Sequence, residues 1–221
     1  MFVTSEAAQR ESALVESAAR AGVETRLVSE RVLGALRDTV TPQGLVAVVA
    51  TPRVDLADAC AVPPQLVVVL DRVADPGNAG TVIRTADAAG ASAVIVSRGS
   101  VDVWSGKCVR SSAGGVFHLP IATGASSEAA IVAAKAAGCA VLATAADGSI
   151  GLDDLIDSGS LTGPTAWVFG NEAHGLPAAV RDLADHVIRV PIYGRAESLN
   201  LAATAAICLY ASARARRRRL P

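Results

Sequence analysis

The feature that most constrains the fold is an alternation between short apolar runs and longer Ala-rich helical segments, which begins near residue 64. This alternation predicts an α/β domain built on a parallel sheet with helices on both faces, because crossover helices must join successive strands. In such sheets ligands bind at the carboxyl ends of the strands. The predicted strands are Gln65–Leu70, Ala93–Val96, Ala140–Thr144, Thr165–Phe169 and His186–Val190, and the predicted helices are Asn78–Ala89, Ala129–Ala137 and Leu199–Arg214.

The first 52 residues predict a smaller, partial α/β domain. Residues 5–21 and 29–36 have helical patterns, and residues 25–28 and 43–50 have strand patterns. The chain opens on an apolar pair that resembles the end of a strand, so either the natural chain begins earlier or this protein is unusually short. Residues 53–63, of mixed polarity and ending in proline, are predicted to be a linker, and residues 64–221 form the main domain.

Composition and residue spacing favour an aliphatic core and argue against a metal site and a secretion signal. Hydrophobic residues make up 51% of the chain and aromatic residues only 3%, which favours a finely packed aliphatic core. The four cysteines form no CxxC pair and the three histidines share no metal spacing with them, so no metal site is expected. No segment joins a basic start to an apolar signal core, which predicts a cytoplasmic protein without a membrane partner.

Charge is distributed unevenly along the chain. The net charge of −1 argues against a protein that coats nucleic acid by bulk electrostatics. Residues 214–219, however, contain five arginines in six positions. These arginines either neutralise RNA phosphates or form a solvated helix end that the helix dipole favours, and the sequence leaves both interpretations open.

The first polar motif, DRVADPGNAGTVIR at residues 71–84, directly follows the first predicted strand. Pro76 and Gly77 predict a turn, Asn78 is a candidate helix cap, and Arg84 follows less than two turns later. Both polar side chains can therefore border the carboxyl edge of the sheet, although a capped helix with an exposed arginine is the structural alternative. The motif contains neither GxGxxG nor a P-loop, which excludes those two nucleotide-binding signatures.

The second motif, WVFGNEAHGLP at residues 167–177, follows another buried strand. Gly170 and Gly175 allow backbone to approach a ligand closely, and Glu172 between them can accept hydrogen bonds. A simple turn is the alternative. His174 is interpreted as a loop residue rather than a catalytic base.

The third motif, VPIYGRAESLNL at residues 190–201, joins a strand to the last predicted helix. Ser198 is a candidate helix cap, and capping alone explains it. Asn200 is predicted in the first helical turn, where it can hydrogen-bond a polar ligand edge or be merely solvated.

These three motifs, in this order and at these separations, resemble those of the SpoU (TrmH-like) family of RNA ribose 2'-O-methyltransferases, part of the SPOUT superfamily. The resemblance covers about residues 64–213. Any one motif alone is weak, and the three together are specific. The chain therefore resembles members of this family, and the resemblance implies that its substrate is RNA.

The resemblance implies a fold and a cofactor that spacing alone does not give. Family members thread the C-terminal part of the sheet into a deep trefoil knot, an exception to the rule that connections do not thread loops. They bind S-adenosylmethionine in that knot and work as homodimers. The matching donor-binding positions here are Thr144, Gly170, Val190 and Leu199.

The resemblance also assigns catalytic roles. Arg84 matches the family's catalytic arginine, and the matching supporting residues are Asn78, Glu172, Ser198 and Asn200. A guanidinium stays protonated, with a pKa above about 12, so it stabilises a developing alkoxide or holds a phosphate more easily than it removes a proton. Arg110, in another family-like stretch, is expected to grip an RNA phosphate, with an ordinary surface helix end as the alternative.

Alternatives remain within and outside this class. The leading hypothesis is an rRNA ribose methyltransferase, with tRNA as the other substrate. A ribosome-assembly or RNA-binding protein that keeps the fold without the chemistry is a different class, and the four polar residues Arg84, Asn78, Glu172 and Asn200 argue against it. A nucleotide-dependent oxidoreductase is disfavoured because its glycine fingerprint is absent.

Overall fold

The chain divides into two units, Met1–Thr51 and Pro52–Pro221. The structure is a computed structural model that describes residues 1–36, 43–61 and 66–217. Gln65, the predicted start of the first long strand, and the tail arginines Arg218 and Arg219 lie outside the described residues. Each unit has its own sheet.

The first unit contains a three-stranded sheet in the order β2-β1-β3. Strand β1 pairs parallel with β2 and antiparallel with β3. The side chains of Val3, Ala7 and Leu33 are buried between the sheet and the helices. The elements are β1 (Phe2–Val3), α1 (Ser5–Arg10), α2 (Ser12–Arg20), β2 (Arg26–Leu27), α3 (Glu30–Leu36) and β3 (Leu45–Val46).

Two elements of this unit differ from the sequence prediction. The single helix expected over residues 5–21 is two helices, because Glu11 between them has φ −106° and ψ 37°, outside the helical range. The strand expected over residues 43–50 is only Leu45–Val46 long, since only these residues pair with β1.

The second unit is built on an eight-stranded sheet in the order β4-β7-β6-β5-β10-β8-β11-β9, and every described pairing in it is parallel. The strands are β4 (Arg53–Val54), β5 (Leu66–Leu70), β6 (Ala93–Val96), β7 (Ile121–Thr123), β8 (Ala140–Thr144), β9 (Ile150–Gly151), β10 (Thr165–Phe169) and β11 (His186–Arg189). The helices are α4 (Leu56–Ala59), α5 (Pro76–Ala88), α6 (Gly106–Ser111), α7 (Gly115–His118), α8 (Ser127–Ala136), α9 (Leu152–Asp157), α10 (Ala178–Arg181) and α11 (Leu201–Arg217).

Helices cover both faces of this sheet, as the alternation of the sequence predicts. Side chains of a strand alternate between faces, so Leu66, Val68 and Leu70 pack with α5, α6, α7, α9 and α11 in one core. Val67 and Val69 face the opposite core, which contains buried side chains of α4, α8 and α10. All five residues of β5 are buried, which explains its continuous apolar run.

The segment predicted to be a linker differs from the expectation. Arg53–Val54 forms β4 and pairs with β7 at the edge of the large sheet, and Leu56–Ala59 forms α4. Neither element was expected, because a two-residue strand and a one-turn helix are too short to give a periodic pattern.

No helix in the described part of the chain is both long and apolar enough to cross a membrane. Within the described residues, no group of three or more His, Cys, Asp or Glu side chains is arranged to hold a metal ion.

Candidate functional site

A cavity of about 380 Å³ opens where β8, β10 and β11 end and α11 begins. This volume lies in the range of ordinary small-molecule sites. Eight of the sequence-predicted site residues line it, namely Asn78, Thr144, Gly170, Glu172, Val190, Ser198, Leu199 and Asn200. Arg84 and Arg110 are not among its lining residues.

A chain of three polar side chains crosses one side of the cavity. Asn78 Nδ2 donates to Glu172 Oε1 at 3.0 Å, and Asn200 Nδ2 donates to Asn78 Oδ1 at 3.1 Å. Glu172 also accepts the backbone N–H groups of Ala74 at 3.0 Å and Asp75 at 3.2 Å. One residue from each of the three motifs is therefore linked into a single hydrogen-bonded chain.

The start of α5 explains how Asn78 becomes available for this chain. Asn78 was predicted to cap the helix, but the helix begins two residues earlier, at Pro76, and Asp75 is the cap. The Asp75 carboxylate accepts the Asn78 N–H at 2.8 Å and the Lys107 ammonium at 2.8 Å. The Asn78 side chain is therefore released from capping and can hydrogen-bond across the cavity edge.

The start of α11 corrects a second prediction. Ser198 was the candidate cap, but α11 begins at Leu201, and Asn200 Oδ1 accepts the N–H groups of Ala202 at 2.8 Å and Ala203 at 3.4 Å. Asn200 is therefore the cap of α11, while its amide nitrogen reaches Asn78. Ser198 is exposed and lines the cavity without a capping bond among the described contacts.

Gly170 forms the closest backbone approach at the cavity. A Cβ atom on Gly170 would lie 2.5 Å from the carbonyl carbon of Gly175 and 2.7 Å from the backbone N of Leu176. Asn171 and Gly175 form a β-bridge that closes this loop. The loop after β10 therefore folds back on itself so tightly that only glycine fits at its start.

Part of the cavity wall is apolar. Ile188, Val190 and Leu199 lie there, and Thr144 uses its hydroxyl to donate to the Val168 carbonyl at 3.1 Å. The wall thus offers side-chain methyl groups together with backbone from strand ends. Such a surface suits the flat, apolar faces of a heterocycle.

The turn after β5 joins the first and second motifs through backbone. Arg72 has φ +48°, a left-handed conformation that is unusual for arginine. Its N–H donates to Ser97 Oγ at 2.9 Å, and its carbonyl accepts Asn171 Nδ2 at 2.7 Å. Asn171 immediately precedes Glu172, so this turn helps to hold Glu172 beside α5.

The hydrogen bonds around Glu172 favour its charged form. Partial burial alone would raise the pKa of this carboxyl, but donation from Asn78 and from the backbone of Ala74 and Asp75 outweighs it, so the pKa lies below its usual value. The bond from Lys107 likewise lowers the pKa of Asp75. Both carboxylates are therefore acceptors at neutral pH rather than proton donors.

The two candidate arginines lie on neighbouring helices outside the cavity. Arg84 is exposed on α5, about 9 Å along the helix axis from Asn78. Arg110 is exposed on α6, which packs against α5. Neither guanidinium has a hydrogen-bond or ion-pair partner among the residues the structure describes, so both are available to an anion. His174 is exposed in its loop, with Nδ1 3.1 Å from Asn171 Oδ1.

Sequence reasoning missed several residues that build this site. Asp75, Lys107 and Asn171 organise the polar chain, and Ile188 and Glu197 line the cavity. The Asp-Pro pair at the start of α5 is a signal that could have identified the cap, because proline favours the first helical position after a capping aspartate. Lys107 and Asn171 gave no comparable local signal, because their partners are distant in sequence.

Comparisons with known proteins match both units of the chain. The family model described as the SpoU rRNA Methylase family matches residues 65–210. A second model, described as RNA 2'-O ribose methyltransferase substrate binding, matches residues 1–54.

Curated relatives include two named rRNA methyltransferases. The chain is 39% identical over 189 residues to the 23S rRNA (guanosine(2553)-2'-O)-methyltransferase RlmP of Bacillus subtilis, covering 86% of this chain and 72% of that protein. It is 39% identical over 178 residues to the 23S rRNA (uridine(2479)-2'-O)-methyltransferase of Streptomyces viridochromogenes, covering 79% of this chain and 61% of that protein.

Solved structures agree with these matches. An AdoMet-bound rRNA methyltransferase from Sinorhizobium meliloti has a TM-score of 0.80 and 37% identity, covering 100% of this chain and 80% of that one. The SpoU methyltransferase AviRb from Streptomyces viridochromogenes, in complex with the cofactor AdoMet, has a TM-score of 0.82 and 33% identity, covering 98% of this chain and 82% of that one. The chain thus belongs to the SpoU rRNA methylase family, within the SPOUT superfamily.

Proposed function

We propose that this chain is an S-adenosylmethionine-dependent RNA methyltransferase that modifies a ribose 2'-hydroxyl of 23S rRNA. The observation that carries the proposal is the hydrogen-bonded chain Glu172–Asn78–Asn200 beside the cavity, in a chain of the SpoU family. The relatives named as 23S rRNA 2'-O-methyltransferases favour rRNA over tRNA as the substrate.

The residues that line the cavity suit the methyl donor. Gly170 lets the loop after β10 fold tightly at the cavity, and Val190 and Leu199 offer an apolar surface to an adenine ring. Thr144 lies at the end of β8 in the same wall. When bound, S-adenosylmethionine supplies a methyl group activated for transfer to an oxygen nucleophile.

The polar side chains orient the acceptor. The hydrogen bonds to Glu172 keep it ionised, and Glu172 in turn fixes the Asn78 amide. Asn200 and Ser198 also line the cavity and are further polar groups there. Methyl transfer requires an in-line approach of the ribose oxygen, so fixed orientation lowers the barrier. These residues therefore act mainly by positioning.

Arg84 is proposed to act on the ribose hydroxyl. Its guanidinium remains protonated, so it stabilises negative charge that develops on the oxygen, or holds the adjacent phosphate, instead of removing the proton. Arg110 is proposed to hold a backbone phosphate near the target nucleotide. The exposure of both side chains and their lack of described partners support these roles.

We further propose the trefoil knot and the homodimer of the family. The match of residues 65–210 to the SpoU family supports a threaded C-terminal segment. The exposed apolar side chains of Ile207 and Tyr210 on α11 support a partner copy against that helix. An rRNA substrate implies work in the cytoplasm, and residues 1–52 are proposed to contribute RNA binding.

Two variants test this function separately at the donor and acceptor sides. Leu199→Arg should obstruct the cavity and abolish S-adenosylmethionine binding in calorimetry. Arg84→Ala should leave donor binding unchanged and reduce methyl transfer to a 23S rRNA transcript by at least about 100-fold. Lys135→Ala, which removes an exposed cation on α8, is the charge-matched control and should leave both measurements unchanged.

Two results would contradict parts of this proposal. If the unmodified protein binds RNA but neither binds S-adenosylmethionine nor transfers a methyl group, the non-catalytic RNA-binding alternative is favoured. If Arg84→Ala transfers methyl groups at the normal rate, the role of Arg84 is wrong although the function stands.

A further inference from the structure

The outward face of α11 changes character along its length. Exposed residues recur at helical spacing, and the face is apolar at Ile207 and Tyr210 but basic at Arg214 and Arg217. Arg216 lies in the same last turn and is half-buried. In the sequence Arg218 and Arg219 follow directly.

The basic end of α11 is held firmly against the sheet. Trp167 Nε1 donates to Ser212 Oγ at 2.9 Å, and both side chains are fully buried. Ala211, Ala213 and Ala215 pack against the same core. The exposed arginines one turn further on therefore start from a fixed position rather than from a loose tail.

Within the described part of the chain, no carboxylate forms an ion pair with the arginines of this last turn. The Nε atom of Arg216 is buried and has no hydrogen-bond partner among the described residues. Partial burial lowers the pKa of Arg216, because it removes water from the charged guanidinium. A phosphate beside the part of this guanidinium that is still exposed would offset that loss of hydration.

The helix dipole alone does not account for so many arginines. A helix C-terminus carries about half a negative charge, and its effect fades within one turn. The segment places a quarter of the chain's 20 basic residues in six positions, so they repel one another while the rest of the chain is acidic. Polyanionic RNA relieves this repulsion, and binding gains further from the release of condensed counterions.

We propose that the C-terminal end of α11, with Arg214, Arg216 and Arg217, binds RNA backbone phosphates at a second site remote from the cavity. This inference rests on the proposed RNA substrate. At 1.5 Å per residue, Arg214 and Arg217 lie roughly 20–25 Å from Asn200 along the helix axis. That distance spans several phosphates along one strand of a duplex, counted from the target nucleotide.

The separation makes a prediction about RNA length. Arg214→Gln/Arg217→Gln should weaken binding of a hairpin RNA longer than about 12 base pairs by roughly tenfold near 0.1 M salt. The slope of log affinity against log salt should fall by about 1.5 to 2, as expected for two lost phosphate contacts. Affinity for a hairpin shorter than about five base pairs, and for S-adenosylmethionine, should not change.

The matched control removes two charges from the opposite face of the sheet. Lys135→Gln/Arg181→Gln changes the net charge equally, and these residues lie on α8 and α10, each in a surface ion pair. It should leave both hairpin affinities unaltered. Equal weakening by this control would mean that only net charge matters, which overturns the proposal.

Three other outcomes would contradict RNA binding by the end of α11 or the RNA substrate itself. A lower melting temperature with unchanged affinity for the long hairpin would assign the arginines to the helix dipole alone, and binding to anionic lipid vesicles without any effect on RNA would assign them to membranes. Both results overturn the proposal but leave the methyltransferase function intact. If the unmodified protein binds neither hairpin although it binds S-adenosylmethionine, the proposed RNA substrate itself fails.

Discussion

At the scale of the residue, the most unusual backbone in the site belongs to Arg72. A non-glycine residue with φ +48° costs about 1 kcal/mol or more, and such strain persists only where the surroundings enforce it. Here Ser97 Oγ fixes the N–H of Arg72, and Asn171 fixes its carbonyl. The strain therefore accompanies a contact that ties the second motif to the first.

Comparing two substitutions isolates this strain. Arg72→Gly and Arg72→Ala both remove the guanidinium, but only glycine adopts a positive φ without a steric penalty. We expect Arg72→Gly to be more stable than Arg72→Ala by roughly 0.5–1 kcal/mol in denaturant unfolding, after allowing for glycine's greater freedom in the unfolded chain. Equal stability of the two variants would show that residue 72 is not strained.

Individual side chains mark the limit of what sequence could predict about the site. Eight predicted residues line the cavity because motifs at strand ends meet at one edge of a parallel sheet. Their partners were not predictable, since Asn78 contacts Glu172 and Asn200 across separations of 94 and 122 residues. The capping roles of Asp75 and Asn200 were misassigned to Asn78 and Ser198, because helix starts are the least certain part of a prediction from sequence.

At the scale of the element, the loop after β10 depends on glycine. A Cβ at Gly170 would meet backbone atoms of Gly175 and Leu176, and backbone cannot move aside as a flexible side chain can. We expect Gly170→Ala to lower the free energy of unfolding by about 1–3 kcal/mol and to weaken S-adenosylmethionine binding at least tenfold in calorimetry. The change should affect binding more than stability if the loop shifts without unfolding.

Gly163→Ala provides the comparison, because a Cβ there would meet no atom within 4 Å. It should leave donor affinity unchanged. If Gly170→Ala binds the donor as tightly as Gly163→Ala does, Gly170 has no part in the donor site.

The elements themselves divide into those with a sequence signal and those without one. Strands β5, β6, β8 and β10 were predicted within one residue of their observed bounds, because buried parallel strands are continuous apolar runs. The two-residue strands β4 and β9 and the short helices α6, α7 and α9 were not predicted, since they span too few residues for a period to appear. Strand order is a property of tertiary packing, and no local pattern encodes it.

At the scale of the whole molecule, carboxylates with lowered pKa values connect stability to pH. Burial raises the pKa of Asp185. Hydrogen bonds from Lys135 and the Val141 N–H lower this pKa by a larger amount, so it lies below its usual value. The pKa of Glu172 is also below its usual value, because its hydrogen bonds outweigh the effect of burial. A group whose pKa is lower in the folded state stabilises the protein above its unfolded pKa, and this contribution disappears as pH falls through the folded pKa.

The free energy of unfolding should therefore decline as pH drops below about 4, the usual range of carboxyl pKa values. Asp185→Asn should reduce stability near pH 7 and flatten the acid side of the profile, as measured by denaturant unfolding at a series of pH values. Asp182→Asn, on a neighbouring exposed carboxylate without a described side-chain partner, should keep the profile of the unmodified protein. An identical acid slope in Asp185→Asn would contradict the assigned bonds of Asp185.

The polar chain that links the three motifs has a consequence for the order in which this protein is made. Asn78 leaves the ribosome long before Glu172, and Asn200 needs α11 behind it to serve as a cap, so the chain of bonds closes only after residues 201–217 have emerged. Until then neither wall of the cavity is complete. A nascent chain whose residues 201–217 are still inside the ribosome thus has no complete cavity.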